Sequence, residues 1–498
     1  MSRTPGSQEH ARVGVVTAAL ATALALSVWG FTVDDALIIG RYAHHVAVGV
    51  GYRMNPGGPP TDGVTPLGYV YLLAPFAREG ATAALFASKL LGFVGHLAAV
   101  LAVTRVTAAR GGPRAVWAGP VAWALSAPAA AWAVAGLETG LVTGLVGVGV
   151  ALRAAGQRGA LPLVLLGAAA GLRPELLPLA LVVGGPAVAP AEPAGSVAPG
   201  PLIPSARTFG RLTVVALPFV VAACVRAAVF GQPAPLSSLA KRPDLALGAG
   251  YAAACALLTG FVGIVAPRAA QRCDRYARFL LAGVLAHLGA VTLAGGDWMP
   301  VSRLMVPALP VLALAVAALA RAAAPWAVAL RFALAVAGEA WVWLSQGPKL
   351  GRVGGDRADL IAELSADLRS ARVVACLDVG WVGAAAPQAA VVDLAGVTDP
   401  DVARLPGAHT QKRLPEGFLE ARQVDTLLLE VPEGATLAEP WTATPLSRGV
   451  ERYLATEPGI AERFEPVRVA GARARYLVLR RRSGGAVPAP RAWSGSEL

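Results

Sequence analysis

The sequence predicts a polytopic α-helical membrane protein of about 10–11 spans with a C-terminal extracytoplasmic α/β domain. Three observations carry that reading. Of 498 residues, 55% are hydrophobic and only 15% charged, where a soluble chain carries roughly a quarter charged residues. Apolar runs of about 20 residues recur, each long enough to cross a bilayer. Residues 346–498 change character, with short β-like runs and balanced charge.

The elements follow in order. Arg3 and Arg12 precede the apolar run Val13 to Trp29, which puts the N-terminus in the cytoplasm and Asp34 and Asp35 outside. That run lacks a small-residue cleavage site and reads as an anchor, not a removed signal peptide. Residues 32–80 form the first external loop, with Val64 to Phe76 too short to span and lying at the interface or re-entering. Residues 82–104 cross inward to a basic loop, Arg105 to Arg114. Residues 115–135 cross outward and 140–152 return to Arg153 and Arg158. In 160–185, Pro174 interrupts a helical hairpin and exposes Arg173 and Glu175 to the external side. A Pro/Ala/Gly linker fills 186–206. Residues 212–230 lead out to "GQPAPLSSLAKRPD", and 248–267 return to "RAAQRCDRYAR", the firmest inside marker. Residues 279–295 cross to "GGDWMPVSR", 304–320 return, and 326–345 leave the tail outside. In the tail, "ARVVACLDVG", "AAVVDLAG", "VDTLLLEV" and "ARYLVLRR" read as strands.

Charge sorts with these regions. Residues 1–345 hold 24 Lys/Arg against 12 Asp/Glu, while 346–498 hold 19 of each. The excess behind the net charge of +12 therefore belongs to the membrane part, where it marks cytoplasmic loops. No soluble basic face with interleaved aromatics exists, so nucleic acid is not expected as a partner. Cys224, Cys255, Cys273 and Cys376 have neither disulfide-framework nor zinc spacing. Heavy use of Ala, Gly, Val and Arg matches a GC-rich bacterial genome, and hence a bacterial cytoplasmic membrane.

This topology gathers Asp34, Asp35, Arg41, Glu138, Lys241, Asp297 and Arg303 at the outer boundary, with Arg173 and Glu175 facing the same side. Polar residues at span ends often only cap them or pair with one another, and an Asp297–Arg303 bridge across its turn is the plain alternative. Adjacent carboxylates repel and diverge, so Asp34 and Asp35 resist that explanation; one can serve as general base while the other orients a hydroxyl, a metal or a cation. Lys241 and Arg242 lie outside against the charge bias, where an anion such as a lipid phosphate suits them. His44 and His45 diverge on a helix, which argues against a shared metal.

The stretch "VDDALIIGRYAHHVAVGVGYRMNPG…TDGVTPLGYVYLLA" resembles the first external loop of GT-C membrane glycosyltransferases. The nearest branch includes the terminal arabinofuranosyltransferase of mycobacterial cell walls. The likeness continues, in order, through "GLETGL", "LRPELLPLAL", "GQPAPLSSLAK", "GGDWMPVSRLMVPALP" and "VVDLAGVTDPDVA", ending near residue 403. Departures occur at Leu37, where the family has an aromatic, at Asp62 to Pro66, and at Pro235-Leu236-Ser237, which lacks the family's amide.

The resemblance implies a GT-C fold and an inverting transfer of a sugar, arabinofuranose by nearest branch, from a polyprenyl-phosphate donor to a glycan or lipid acceptor. Asp34 is the implied base and Asp35 its helper. Lys241, Arg303, Arg41 and Arg173 are the candidates for the donor phosphate. Tyr42, Asn55, Asp62, Thr65, Glu138, Glu175 and Asp297 are the implied substrate contacts. A monophosphate leaving group needs only Lys/Arg, so no cofactor is required; a divalent metal, used by some relatives, stays an alternative. A flippase of lipid-linked saccharide is the rival reading, favoured by inverted repeats, of which none is evident. A non-catalytic scaffold is the third.

Overall fold

The computed structural model describes residues 5–185, 205–241, 244–258, 275–297 and 299–482. Its chain is mostly helical and divides into two compact units. The first comprises Met1–Phe31, Ser88–Cys224 and Pro243–Gly351; the second comprises Thr32–Ala87, Val225–Arg242 and Arg352–Leu498.

Among the described residues, four helices are long and apolar enough to cross a membrane: Ala81–Ala124, Ala206–Phe230, Tyr276–Leu293 and Pro325–Asp367. Shorter apolar helices accompany them, among them Arg12–Ser27, Thr139–Ala154, Leu161–Leu172 and Val306–Ala322. Glycine sets the packing of the first unit. Gly140 and Gly144, one turn apart, meet Gly92 and Gly95 so closely that a Cβ on Gly140 would lie 2.5 Å from the Gly92 carbonyl. Small residues at this spacing let helix backbones touch where apolar burial alone gives no drive.

Several sequence boundaries shift. The basic loop Arg105 to Arg114 is helical, broken only at Gly112 with φ 68°. The hairpin breaks as expected at Arg173, whose extended backbone precedes Pro174. The segment expected to cross at 115–135 is instead interrupted at Ser126, whose hydroxyl caps the Ala127–Ala133 helix. The final helix does not stop at 345 but runs from Pro325 to Asp367. Its apolar exposed side chains end at Leu344, and charged residues carry it onward. Residues 186–204 of the linker, residues 268–274 of the basic marker, and Arg242 lie outside the described residues.

In the second unit, the first loop is not a loop at its start. Asp34–Ala47 is a helix with both acids in its first turn, where carboxylates face unpaired N–H groups and the positive end of the helix dipole. Its Ala36, Leu37, Ile38, Ile39 and Tyr42 are buried. The tail carries a five-stranded sheet, ordered β2-β1-β3-β5-β4. Its strands are β1 Val373–Cys376, β2 Ala390–Asp393, β3 Thr426–Val431, β4 Phe464–Ala470 and β5 Arg475–Arg481. β1 pairs parallel with β2 and β3, with Val373 opposite Ala390 and Val374 opposite Thr426. β5 runs antiparallel between β3 and β4. All four strands read from the sequence are present; β4 was not anticipated.

Candidate functional site

β1 has β2 on one side and β3 on the other, so the chain reverses direction across the sheet at the β1/β3 junction. Open α/β sheets bind ligands at such a switch point, beyond the carboxyl ends of the strands. Asp378 follows β1 there and begins the Val379–Ala385 helix. Its side chain does not cap that helix. It accepts a hydrogen bond from the Tyr476 hydroxyl on β5 and pairs with Arg357 Nη2 at 3.2 Å. Arg357 also donates to the Tyr476 hydroxyl at 2.9 Å, and its guanidinium lies 5.9 Å from the Trp381 ring centroid.

Asp34 reaches the same place. Its Oδ1 accepts from Trp381 N at 2.7 Å and its Oδ2 from Gly380 N at 3.0 Å. Burial holds its carboxyl well above the usual Asp range, Asp378 adds repulsion, and the two N–H groups oppose the shift without cancelling it. A carboxylate fixed in direction and with raised proton affinity, beside a cation and a phenol, is equipped for general acid–base work. Arg357, Asp378 and Tyr476 were missed in the sequence. The available signal was Asp378, two residues past the end of the strand "VVAC".

The other motif residues of this unit make structural contacts. Arg41, expected at a donor phosphate, is buried and donates to three carbonyls: Met54 at 2.9 Å, Gly383 at 3.0 Å and Ala389 at 2.8 Å. Burial brings it down to about 10. Tyr42 bonds Thr61 at 2.5 Å. Asn55 clasps Val391 of edge strand β2 by both its N–H and carbonyl, at 2.8 and 2.9 Å, completing a β-bridge with a side chain. Asp62 is buried against Arg226 at 2.8 Å, and Thr65 meets Ser237 at 3.1 Å. Arg41 and Asn55 thus tie the first loop to the tail, Asp62 and Thr65 tie it to the 225–242 segment, and Tyr42 braces the loop itself. His44 and His45 face the Ala77 and Arg53 carbonyls, both at 2.8 Å. Lys241 lies, half-buried, just beyond the Leu236–Ala240 helix.

Arg173, Glu138, Glu175, Asp297 and Arg303 belong to the first unit and form two clusters. Arg173 is buried between Glu138 at 2.7 Å and Glu175 at 3.0 Å, and donates to Thr139 at 2.8 Å. Two carboxylates thus already pair with it. Arg303 pairs with Asp297 at 2.6 Å, the plain alternative for that turn, and lies 5.9 Å from the Trp132 ring. Val301 and Ser302 take φ of 51° and 58° in this turn, a strain on the order of 1–2 kcal/mol per residue. The Trp132 indole N–H restrains it by donating to the Val301 and Pro300 carbonyls at 2.9 and 3.2 Å. Among the described residues, no group of three His, Cys, Asp or Glu side chains is placed to hold a metal ion.

Compared with protein-family models, curated proteins and solved structures, the chain matches none.

Proposed function

We propose that this chain is an integral-membrane inverting glycosyltransferase of GT-C type, working at the outer face of a bacterial cytoplasmic membrane. Its donor is a polyprenyl-phosphate-linked sugar, arabinofuranose by the resemblance of its first loop, and its acceptor a cell-envelope glycan or lipid. The observation that carries the reading is the meeting of Asp34, first acid of the DDA stretch, with Asp378, Arg357 and Tyr476 at the sheet's switch point.

The chemistry follows from those groups. The acceptor hydroxyl attacks the anomeric carbon and gives its proton to Asp34. The bond from that carbon to the phosphate oxygen breaks, and polyprenyl phosphate leaves with the electron pair. The Gly380 and Trp381 N–H groups aim the carboxylate, while its raised proton affinity favours uptake of the proton. Asp35 orients the acceptor, and Lys241 is the cation assigned to the leaving phosphate. The change at Pro235-Leu236-Ser237, where Ser237 meets Thr65, bears on which sugar is accepted rather than on the reaction class.

The test is release of polyprenyl phosphate by the purified full-length protein, given a polyprenyl-phosphate sugar and candidate acceptors. Asp34→Asn keeps an acceptor for one N–H group and is expected to slow release about 10²–10⁴-fold, with its melting temperature checked alongside. A folded Asp34→Asn protein turning over at the wild-type rate removes the base assignment. Lipid-linked sugar crossing sealed vesicles unconsumed would favour the flippase.

A further inference from the structure

The first unit contains a pocket whose chemistry is opposite to that of the acid cluster. Arg110, Arg321, Tyr276 and Thr107 line it on the polar side, with Val106 and Leu314 among its apolar walls, and among the described residues no carboxylate contributes. The helix segments that meet here do so by their ends. Arg321, in the last turn of Leu309–Ala322, donates to the Arg110 carbonyl at 3.4 Å. The Tyr276 hydroxyl reaches the Val150 carbonyl at 3.5 Å. Arg153, at the end of Thr139–Ala154, lies within electrostatic range of both Tyr276 and Arg211. Two arginines, Arg110 and Arg321, thus line one small space, with Arg153 adding positive charge near Tyr276.

A second, independent observation points to a ligand. The Thr107 hydroxyl is buried on the pocket wall and has no hydrogen-bond partner among the described residues, although a helical threonine ordinarily returns its proton to a carbonyl of the preceding turn. An orphaned buried hydroxyl costs about 1–3 kcal/mol, a cost that an acceptor in the pocket removes. The space, about 40 Å³, holds roughly three waters, the size of one phosphate group rather than of a whole metabolite.

We infer that this pocket binds the phosphate of an anionic phospholipid headgroup, drawn from the leaflet that the basic helix ends face. The arginines neutralise the phosphodiester, Thr107 donates to one of its oxygens, and the glycerol and acyl chains lie outward along the apolar walls. The lipid is the source because the helix that supplies Thr107, Arg110 and Ala115 to the pocket leads directly into Trp117, a large exposed apolar side chain that suits a bilayer. By the positive-inside rule the leaflet is cytoplasmic. This inference is independent of the glycosyltransferase reading and uses none of its residues.

Native mass spectrometry of the full-length protein, titrated with phosphatidylglycerol or phosphatidylcholine in detergent, tests it. Saturable binding of phosphatidylglycerol at one site is expected, with phosphatidylcholine much weaker. The double variant Arg110→Gln/Arg321→Gln is expected to bind phosphatidylglycerol about 30-fold more weakly, from roughly fivefold per arginine. Thr107→Val, a near-isosteric change, is expected to weaken it several-fold while keeping the melting temperature, and carries the test if the double variant does not fold. Unchanged phosphatidylglycerol affinity in folded variants overturns the inference. So does equal binding of phosphatidylcholine, or displacement of the lipid by inorganic phosphate at equal concentration, which would make the pocket a site for the free ion.

Discussion

Gly380 has no side chain, and that lets Asp34 approach: a Cβ there would lie 2.1 Å from the Asp34 carbonyl oxygen and 2.8 Å from its Oδ1. The contact explains why the sequence was a partial guide at this scale. Asp34 and Asp35 stood out because adjacent acids directly after an apolar run are costly. What Asp34 faces is set by residues more than 340 positions away, and no local pattern encodes that. Arg41 shows the limit most plainly. The resemblance implied a phosphate for it, and no sign in the sequence showed that three backbone carbonyls take three of its donors. The Asp34–Asp378 relation can be tested by pH. Since Asp378 is the second cause of the raised Asp34 carboxyl, after burial, Asp378→Asn removes repulsion and lowers the Asp34 pKa. A base must be deprotonated to act, so the acidic limb of the rate profile should move to lower pH in Asp378→Asn, read as kcat/KM for polyprenyl phosphate release. A limb that stays in place, or moves up, would dissociate the two acids.

The elements were legible where the apolar period was clean and hidden where it was not. β3, "TLLLEV", is buried at nearly every position, and β5 pairs with it along its length. β4, "FEPVRVA", escaped notice because it is an edge strand with only its end residues buried, Pro466 inside it, and a register shift beside that proline. Proline belongs on such edges, where no ladder N–H is needed. A buried acid ties the helix after this core to β3. Glu451 accepts from Glu430 N at 2.9 Å and from Arg448 N at 3.1 Å. Burial pushes it up to about 8, the bonds oppose this, and the charges of Glu430 and Asp378 add to the rise. With a folded pKa above the ordinary value of 4.5, its contribution to stability is whole below that value and is lost as pH rises through about 8. Calorimetric melting of the full-length protein from pH 5 to 9 should therefore show wild-type stability falling across this range. Glu451→Gln carries no charge to desolvate and should show a flatter profile, starting lower because one amide N–H₂ then faces a backbone donor. Parallel profiles would mean that another group sets the slope.

Over the whole chain, the sequence located membrane-like regions better than it located helix ends. In the Pro325–Asp367 helix, Trp326, Leu330, Leu334, Trp341 and Leu344 are exposed apolar side chains, and Lys349, Arg352 and Asp356 follow them. The apolar part is about 20 residues, or roughly 30 Å at 1.5 Å per residue, the thickness of a bilayer core. The apolar run was thus legible in the sequence, while the helix's continuation to Asp367 depended on tertiary partners such as the Arg468 pairs with Glu363 and Asp367. With the basic helix ends in the cytoplasm, as the proposed function has them, the tail is expected outside and the segment after Thr139–Ala154 inside. Cysteine labelling decides this. In a background with Cys224, Cys255, Cys273 and Cys376 replaced, Glu433→Cys and Arg158→Cys each introduce one thiol at an exposed position. A membrane-impermeant maleimide applied to intact spheroplasts should modify Glu433→Cys fully and Arg158→Cys only after permeabilisation. The reverse pattern would turn the whole chain over and place the acid cluster with the cytoplasm, where a polyprenyl-phosphate donor in the outer leaflet has no access. Modification of both from one side would change the parity of crossings between residues 158 and 433.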